Sequence, residues 1–287
     1  MKNFNIKSYC KINLTLRVLK KLDNGYHSIM SLITFCKLHD VISIAKIKNS
    51  KDKISFSGKF GKGINKKSNT VVKVLDLFRK NKLLNNRKFK INIKKNIPHG
   101  SGLGGASSNA ADLINFFNIK MNLKLNKDKM KKLANKIGFD VPINLERKNT
   151  FITGKKNEIL RLNNKFRLNL LIVYPNIVCS TKRIYQKNKK RSYIKSQPYF
   201  YKSNTKKLMN FLMNDTNDLE ETVVKIYPKI KKIIGYIQSS RGCYFSRITG
   251  SGSACIGIFS NMKNAIYAQK LIKIKYPKYW CVVSKSI

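Results

Sequence analysis

Apolar and polar side chains alternate along residues 88–94, with Phe89, Ile91 and Ile93 sharing one face. A two-residue period of this kind predicts a half-buried strand. Residues 41–47 (VISIAKI) read as a strand too, and residues 4–18 predict a pair of strands or one bent strand. Between these lies a different period. Asn69 and Thr70 precede VVKVLDLF, whose apolar stripe predicts a capped helix ending near Asn81. Pro98 closes the strand region and a glycine-rich segment follows; Ser107 or Ser108 is expected to open a helix reaching about Asn118. Asp128 is expected to cap a further helix that stops at Gly138.

The second half starts with one or two strands near 151–160 and a buried strand at 168–175 (LNLLIVYP). Residues 186–206 are basic and polar and read as a loop insertion or lid. Helices are expected at about 205–213 and 218–238, a strand at 253–259, a helix at 262–275 and a last strand at 280–284. These elements predict two α+β domains, residues 1–150 and residues 151–287.

Composition narrows the class. The 287 residues are 42% hydrophobic, which excludes a disordered basic chain with nothing to bury. The formal net charge of +47 invites a nucleic-acid partner, yet 50 of the 60 basic residues are Lys and only 10 are Arg. Readers of nucleic acid favour Arg, whose planar fork fits phosphates and guanine edges. With 34 Ile against 8 Ala, the excess reads as drift towards AT-rich codons, and no specific nucleic-acid partner is expected.

The six cysteines form no CxxC pair and the three histidines are isolated, so no protein-built metal site is expected. Mg²⁺ carried on a nucleotide remains compatible with this. No apolar leader stands at residues 1–21, and the most apolar run, 168–178, is too short to span a bilayer. A soluble, cytoplasmic protein without a membrane partner is expected.

The densest chemistry lies in Pro98-His99-Gly100-Ser101-Gly102-Leu103-Gly104-Gly105-Ala106-Ser107-Ser108. Glycines let amide N–H groups approach a ligand, and the helix start that follows offers unpaired N–H groups and a positive dipole end. Together they suit phosphate. Gly100-x-Gly102-x-x-Gly105 fits the dinucleotide fingerprint formally but lacks its downstream acid. The Lys-Ser/Thr of a Walker loop is missing, and so are the HRD and DFG segments of protein kinases.

This loop, of the form PxxxGLGxSSxAA, resembles that of the GHMP kinase superfamily, and other segments follow in that family's order. Ser8-Tyr9-Cys10-Lys11-Ile12-Asn13-Leu14 is similar to its S-P-A-K-I/L-N-L, with Tyr9-Cys10 replacing Pro-Ala. Asn24-Gly25-Tyr26-His27 resembles D-G-Y-H, and Gly138-Phe139-Asp140-Val141-Pro142 resembles G-A/S-D-V-P. Asn217-Asp218-Leu219-Glu220 resembles N-D-L/F-E, and Thr249-Gly250-Ser251-Gly252 resembles T-G-S/T-G. The order and spacing run from residue 8 to about 259. They narrow the resemblance to the kinases that act on a cytidine-diphosphate-linked methylerythritol.

The resemblance implies a two-domain fold, the N-terminal half like domain 2 of ribosomal protein S5 and the C-terminal half ferredoxin-like. It implies ATP and Mg²⁺, and a monomer or weak homodimer. It makes Asp140 the base that accepts the substrate hydroxyl proton, with Lys11 beside it. Pro98, Gly100, Ser101, Gly102, Leu103, Gly104, Gly105, Ala106, Ser107 and Ser108 would hold the nucleotide. Asn13, Tyr26, His27, Thr181, Tyr185, Gly250 and Gly252 would meet the substrate, the aromatic groups on the cytosine. Taken singly, Asp140 would be an ordinary turn aspartate, Lys11 a solvated lysine and TGSGSA a plain turn.

Two other readings stay open. A homoserine- or mevalonate-type kinase of the same superfamily would have no use for Tyr26 and His27 at a nucleobase. A basic RNA-binding protein fits the charge but leaves the glycine loop unexplained.

Overall fold

The computed structural model describes residues 3–23, 25–154, 158–192 and 205–287. Asn24 of the Asn24-Gly25-Tyr26-His27 segment and residues 193–204 of the 186–206 insertion lie outside the described residues. The chain forms two compact units. One holds Met1–Lys11, Leu38–His99 and Gly104–Arg147; the other holds Ile12–Lys37, Gly100–Leu103 and Lys148–Ile287.

In the first unit, strand β5 (Lys88–Lys94) buries Phe89, Ile91 and Ile93, the face set by alternation. It pairs antiparallel with the end of the long strand β3 (His27–Ile47) and parallel with β4 (Lys53–Ser57). Strand β1 (Asn3–Asn13) also pairs with β3. Helix α1 (Thr70–Lys80) starts at Asn69, whose side chain accepts hydrogen bonds from the N–H groups of Val71 and Val72. Helix α2 (Gly105–Lys120) opens at Gly104 in a left-handed conformation, ahead of the expected Ser107 or Ser108. It is buried on most sides, because α1 and α3 (Lys127–Ile137) pack against it. The cap of α3 is Asn126, which accepts from the Lys129 N–H; Asp128, expected there, sits in the first turn, where its charge still suits the helix dipole. The four-residue helix α4 (Val141–Asn144) follows. Ile42, Ile91, Phe78, Ile114 and Phe117 share one core.

In the second unit, β2 (Arg17–Lys21) and β6 (Thr150–Thr153) pair with the first half of β3, and β7 (Ile159–Arg161) pairs with β6. A separate antiparallel sheet has the order β11-β8-β10-β9, from β8 (Asn169–Tyr174), β9 (Cys243–Ile248), β10 (Cys255–Phe259) and β11 (Trp280–Lys285). Helices α5 (Thr181–Lys187), α6 (Thr205–Asn214), α7 (Glu220–Ile226) and α8 (Lys229–Gln238) lie between β8 and β9, and α9 (Met262–Lys275) lies between β10 and β11. The sheet therefore has the ferredoxin-like order that the family resemblance implied.

Three departures from expectation have physical causes. Strand β9 is new: its buried Arg247 reads as a solvent position and hides the alternation. Strand β3 begins at residue 27 rather than 41, because Met30 to Cys36 are buried without interruption and leave no two-residue period. The helix expected over 218–238 is two helices. Pro228 forces Tyr227 out of the helical region (φ −130°, ψ 77°) and starts α8 anew. Among the described residues no helix is long and apolar enough to cross a membrane.

Phe117 is fully buried between Phe78 and Phe89, with ring centroids 5.6 and 5.0 Å away. Phe117→Ala is expected to cost about 3–5 kcal/mol by leaving a cavity. Urea denaturation followed by tryptophan-independent far-UV signal checks this; an unchanged midpoint would contradict the packing.

Candidate active site

In the first unit, β1 carries Lys11 into the interior, where it is 4% exposed. Its Nζ donates to Asp140 Oδ2 at 2.9 Å, while the Asp140 side chain stays 44% exposed. One partner is shielded from water and the other remains open to a reactant. Gly104 lies against the same lysine: with φ +68°, a Cβ there would come within 3.1 Å of Lys11 Cε and 3.2 Å of its Cβ. The glycine thus gives the lysine stem its course and, as the N-cap of α2, provides no side chain to occupy the helix's N–H groups. Ser107, half-buried, and exposed Ala106 form the first turn; the Ala106 carbonyl accepts from Thr70 Oγ1 at 3.0 Å. Pro98 is buried and Gly105 packs against Ile97. Ser108 faces inward: its hydroxyl donates to Asn144 Oδ1 at 2.8 Å, and Asn144 Nδ2 donates to the Asp140 carbonyl at 2.6 Å.

In the second unit, the remaining loop residues lie on the Thr249–Gly252 turn. The Ser101 carbonyl accepts from the Ala254 N–H at 2.9 Å, the Gly100 carbonyl accepts from the Cys179 N–H at 2.9 Å, and Leu103 is fully buried. Gly102 has φ +83°, and a Cβ there would overlap the Thr249 carbonyl oxygen. Gly250 and Gly252 also have positive φ, +58° and +74°. Asn13 binds the turn through its N–H to Thr249 Oγ1 at 2.8 Å and turns its Nδ2 to Ser31 Oγ at 2.7 Å. Thr181 Oγ1 lies 2.9 Å from Ser251 Oγ. His27 stacks on Tyr185, ring centroids 5.2 Å apart, and Tyr26 beside it is half exposed. Burial, then the charges of Arg191 and Lys21, hold His27 below the ordinary value of 6.5. The ring is neutral at pH 7, with one donor and one acceptor.

The other acid singled out in a motif has a different place. Asp218 is fully buried and accepts from the Val18 N–H at 2.8 Å, Ser192 Oγ at 2.7 Å and Lys190 Nζ at 3.2 Å. Its neighbour Asn217 donates to the carbonyls of Ile248 (3.1 Å) and Gly250 (2.8 Å), so this motif holds the turn rather than a reactant. Burial pushes the thiols of Cys179 and Cys243 up to about 11 and about 12, away from nucleophilic use. Two residues of this arrangement had no role assigned from the sequence: Thr249 and Asn144. Thr249 had a signal in the TGSG motif; Asn144 had only its four-residue spacing from Asp140.

An exposed carboxylate on a buried ammonium, together with a glycine-started helix whose N–H groups are uncapped, is equipment for proton removal and phosphoryl transfer. Residues 69–146 match the model of the GHMP kinases N terminal domain and residues 198–277 that of the GHMP kinases C terminal. The chain belongs to the GHMP kinase family, whose members use ATP. It is 39% identical to the 4-diphosphocytidyl-2-C-methyl-D-erythritol kinase of Pelagibacter ubique (strain HTCC1062), over 100% of both chains. In fold it is similar to a crystal structure of 4-(cytidine 5'-diphospho)-2C-methyl-D-erythritol kinase, with a TM-score of 0.77 and 21% identity over 98% of this chain and 99% of that one. A homoserine kinase from Cytophaga hutchinsonii gives 0.74 and 13% over 100% and 95%. The two solved structures show the two-domain fold.

Two outcomes are expected here. Gly102→Ala should lower stability by about 1–3 kcal/mol through backbone strain and overlap, read as a lower urea midpoint; an unshifted midpoint would mean that the loop is not seated on the turn. In an NMR titration, His27 should show a midpoint below 6.5, and a midpoint above it would overturn the electrostatic reading.

Proposed function

We propose that this kinase transfers the γ-phosphoryl group of ATP to the 2-hydroxyl of 4-diphosphocytidyl-2-C-methyl-D-erythritol, a step of the non-mevalonate route to isoprenoid precursors. The observation that carries the reading is the Lys11–Asp140 pair in a chain that is 39% identical, end to end, to a kinase of that name. Asp140 takes the proton of the attacking hydroxyl. Lys11 holds the carboxylate in place through the 2.9 Å ion pair. The loop from Pro98 through Ser108 holds the triphosphate with backbone N–H groups and the positive end of α2. Gly250 and Gly252 keep their turn free of side chains for an anion. Asn13 and Thr181 orient the alcohol, and Tyr26, His27 and Tyr185 hold the cytosine, for which a neutral imidazole supplies both donor and acceptor.

Among the described residues no group of three or more His, Cys, Asp or Glu could hold a metal ion. Mg²⁺ would ride on the nucleotide, with the half-buried Ser107 hydroxyl as an oxygen donor at the helix start. Bound there, it would neutralise charge on the β- and γ-phosphates. In domain terms, residues 1–150 form the ATP-binding part and residues 151–287 the C-terminal part. The protein acts in the cytoplasm as a monomer or weak homodimer, without a membrane or specific nucleic-acid partner.

A coupled ADP-release assay tests the reading. Asp140→Asn should lower kcat by about 10²–10⁴, and CDP should compete with the alcohol substrate. Equal rates in the two proteins would remove Asp140 from its role. Turnover of homoserine or mevalonate without CDP competition would replace the substrate.

A further inference from the structure

The Asp140 carboxylate is placed unusually for its position in the chain. Asp140 is the N-cap of α4, where an aspartate ordinarily turns back and accepts from the second or third N–H of its own helix. Here it makes no such bond and reaches Lys11 instead. Two features of α4 account for this. The second helical residue is Pro142, which has no N–H to offer. The last residue, Asn144, donates from Nδ2 to the Asp140 backbone carbonyl at 2.6 Å, so the peptide unit is anchored through the main chain.

Asn144 is itself fixed from α2. It is 3% exposed, and its Oδ1 accepts from the hydroxyl of Ser108, which is 2% exposed. Two turns further along α2, Asn115 Nδ2 donates to the carbonyl of Leu145 at 3.0 Å. The short helix that carries Asp140 therefore hangs from α2 at two points, and the nearer one lies in the first turn after the glycine start. Both hydrogen-bonding groups of the Asn144 amide are used within the protein.

We propose that Asn144, held by Ser108, is the positioning residue for the Asp140 base: it ties the aspartate backbone to the nucleotide-binding helix and leaves the carboxylate for Lys11 and the substrate hydroxyl. Ser108 on this view serves the base, and Ser107 is the serine left for the nucleotide. The inference rests on the reading of Asp140 as the base.

The test is a double-mutant cycle on the full chain, with kcat and the KM for ATP measured for Asn144→Ala, Asp140→Asn and the pair. Asn144→Ala should lower kcat about 10- to 100-fold, the effect of a misplacement near 1 Å, with the KM for ATP within about twofold of wild type. In the Asp140→Asn background the same change should cost almost nothing, because the group being positioned is gone. Ser108→Ala should act in the same direction, more weakly, and it decides the matter if Asn144→Ala fails to fold. Equal losses in both backgrounds, or no loss from Asn144→Ala, would overturn the proposal. So would a raised KM for ATP with unchanged kcat in Ser108→Ala, since the hydroxyl would then serve the nucleotide. Asp140→Asn matching wild type would instead remove the base reading itself, a separate result.

Discussion

An ammonium group that is nearly sealed from water needs an anion in contact, because its desolvation costs several kcal/mol without one. Lys11 is in that position, and Asp140 is the anion, 2.9 Å away. Much of the first unit answers to this pair. Strand β1 must deliver the lysine inward. Gly104 must lack a side chain so that the lysine stem can pass. Helix α4 must release the aspartate from its own backbone. The asymmetry of exposure then has chemical meaning: the lysine is fixed and the carboxylate is reachable.

A second constraint is the glycine loop, whose parts are fixed by separate means. Residues 100–103 are pinned through main-chain hydrogen bonds to Ala254 and Cys179. Gly104 and Gly105 start α2, which the core around Phe117 encloses. Upstream, the buried Asp40 accepts from the N–H groups of Asn96 (2.7 Å) and Ile97 (2.9 Å), from Asn109 Nδ2 at 3.1 Å and from Lys95. That carboxylate fixes the chain just before Pro98. A loop whose backbone N–H groups must face an anion gains by having its shape settled before the anion arrives, since less ordering is left to be done on binding.

The excess of lysine changes meaning in this light. Among 13 acids, several are spent on buried pairing: Asp40 with Lys95, Asp112 with Arg147, Asp215 with Arg17. Burial raises Asp112 even beside its arginine, and lowers Arg247 to about 10. Asp140 differs from these in being paired and yet open. Among the described residues the surplus positive charge lies mostly on exposed lysines.

Regular elements could be read where one face alone is buried. Residues 88–94 and 262–275 are a strand and a helix with the expected bounds. Alternation fails as a signal where burial is two-sided, as in Met30 to Cys36, or where a buried charge such as Arg247 imitates a surface position. The motif residues of the candidate site could be named from the family's motifs in their fixed order, although none of them stands out singly. The chain order thus determined the kinase family and the aspartate to consider. It did not determine why that aspartate meets Lys11 while Asp218 is buried among the Val18 N–H, Ser192 and Lys190. Both are short acidic side chains in turns, and only the tertiary structure decided which carboxylate is sealed among several donors and which stays open on a buried lysine.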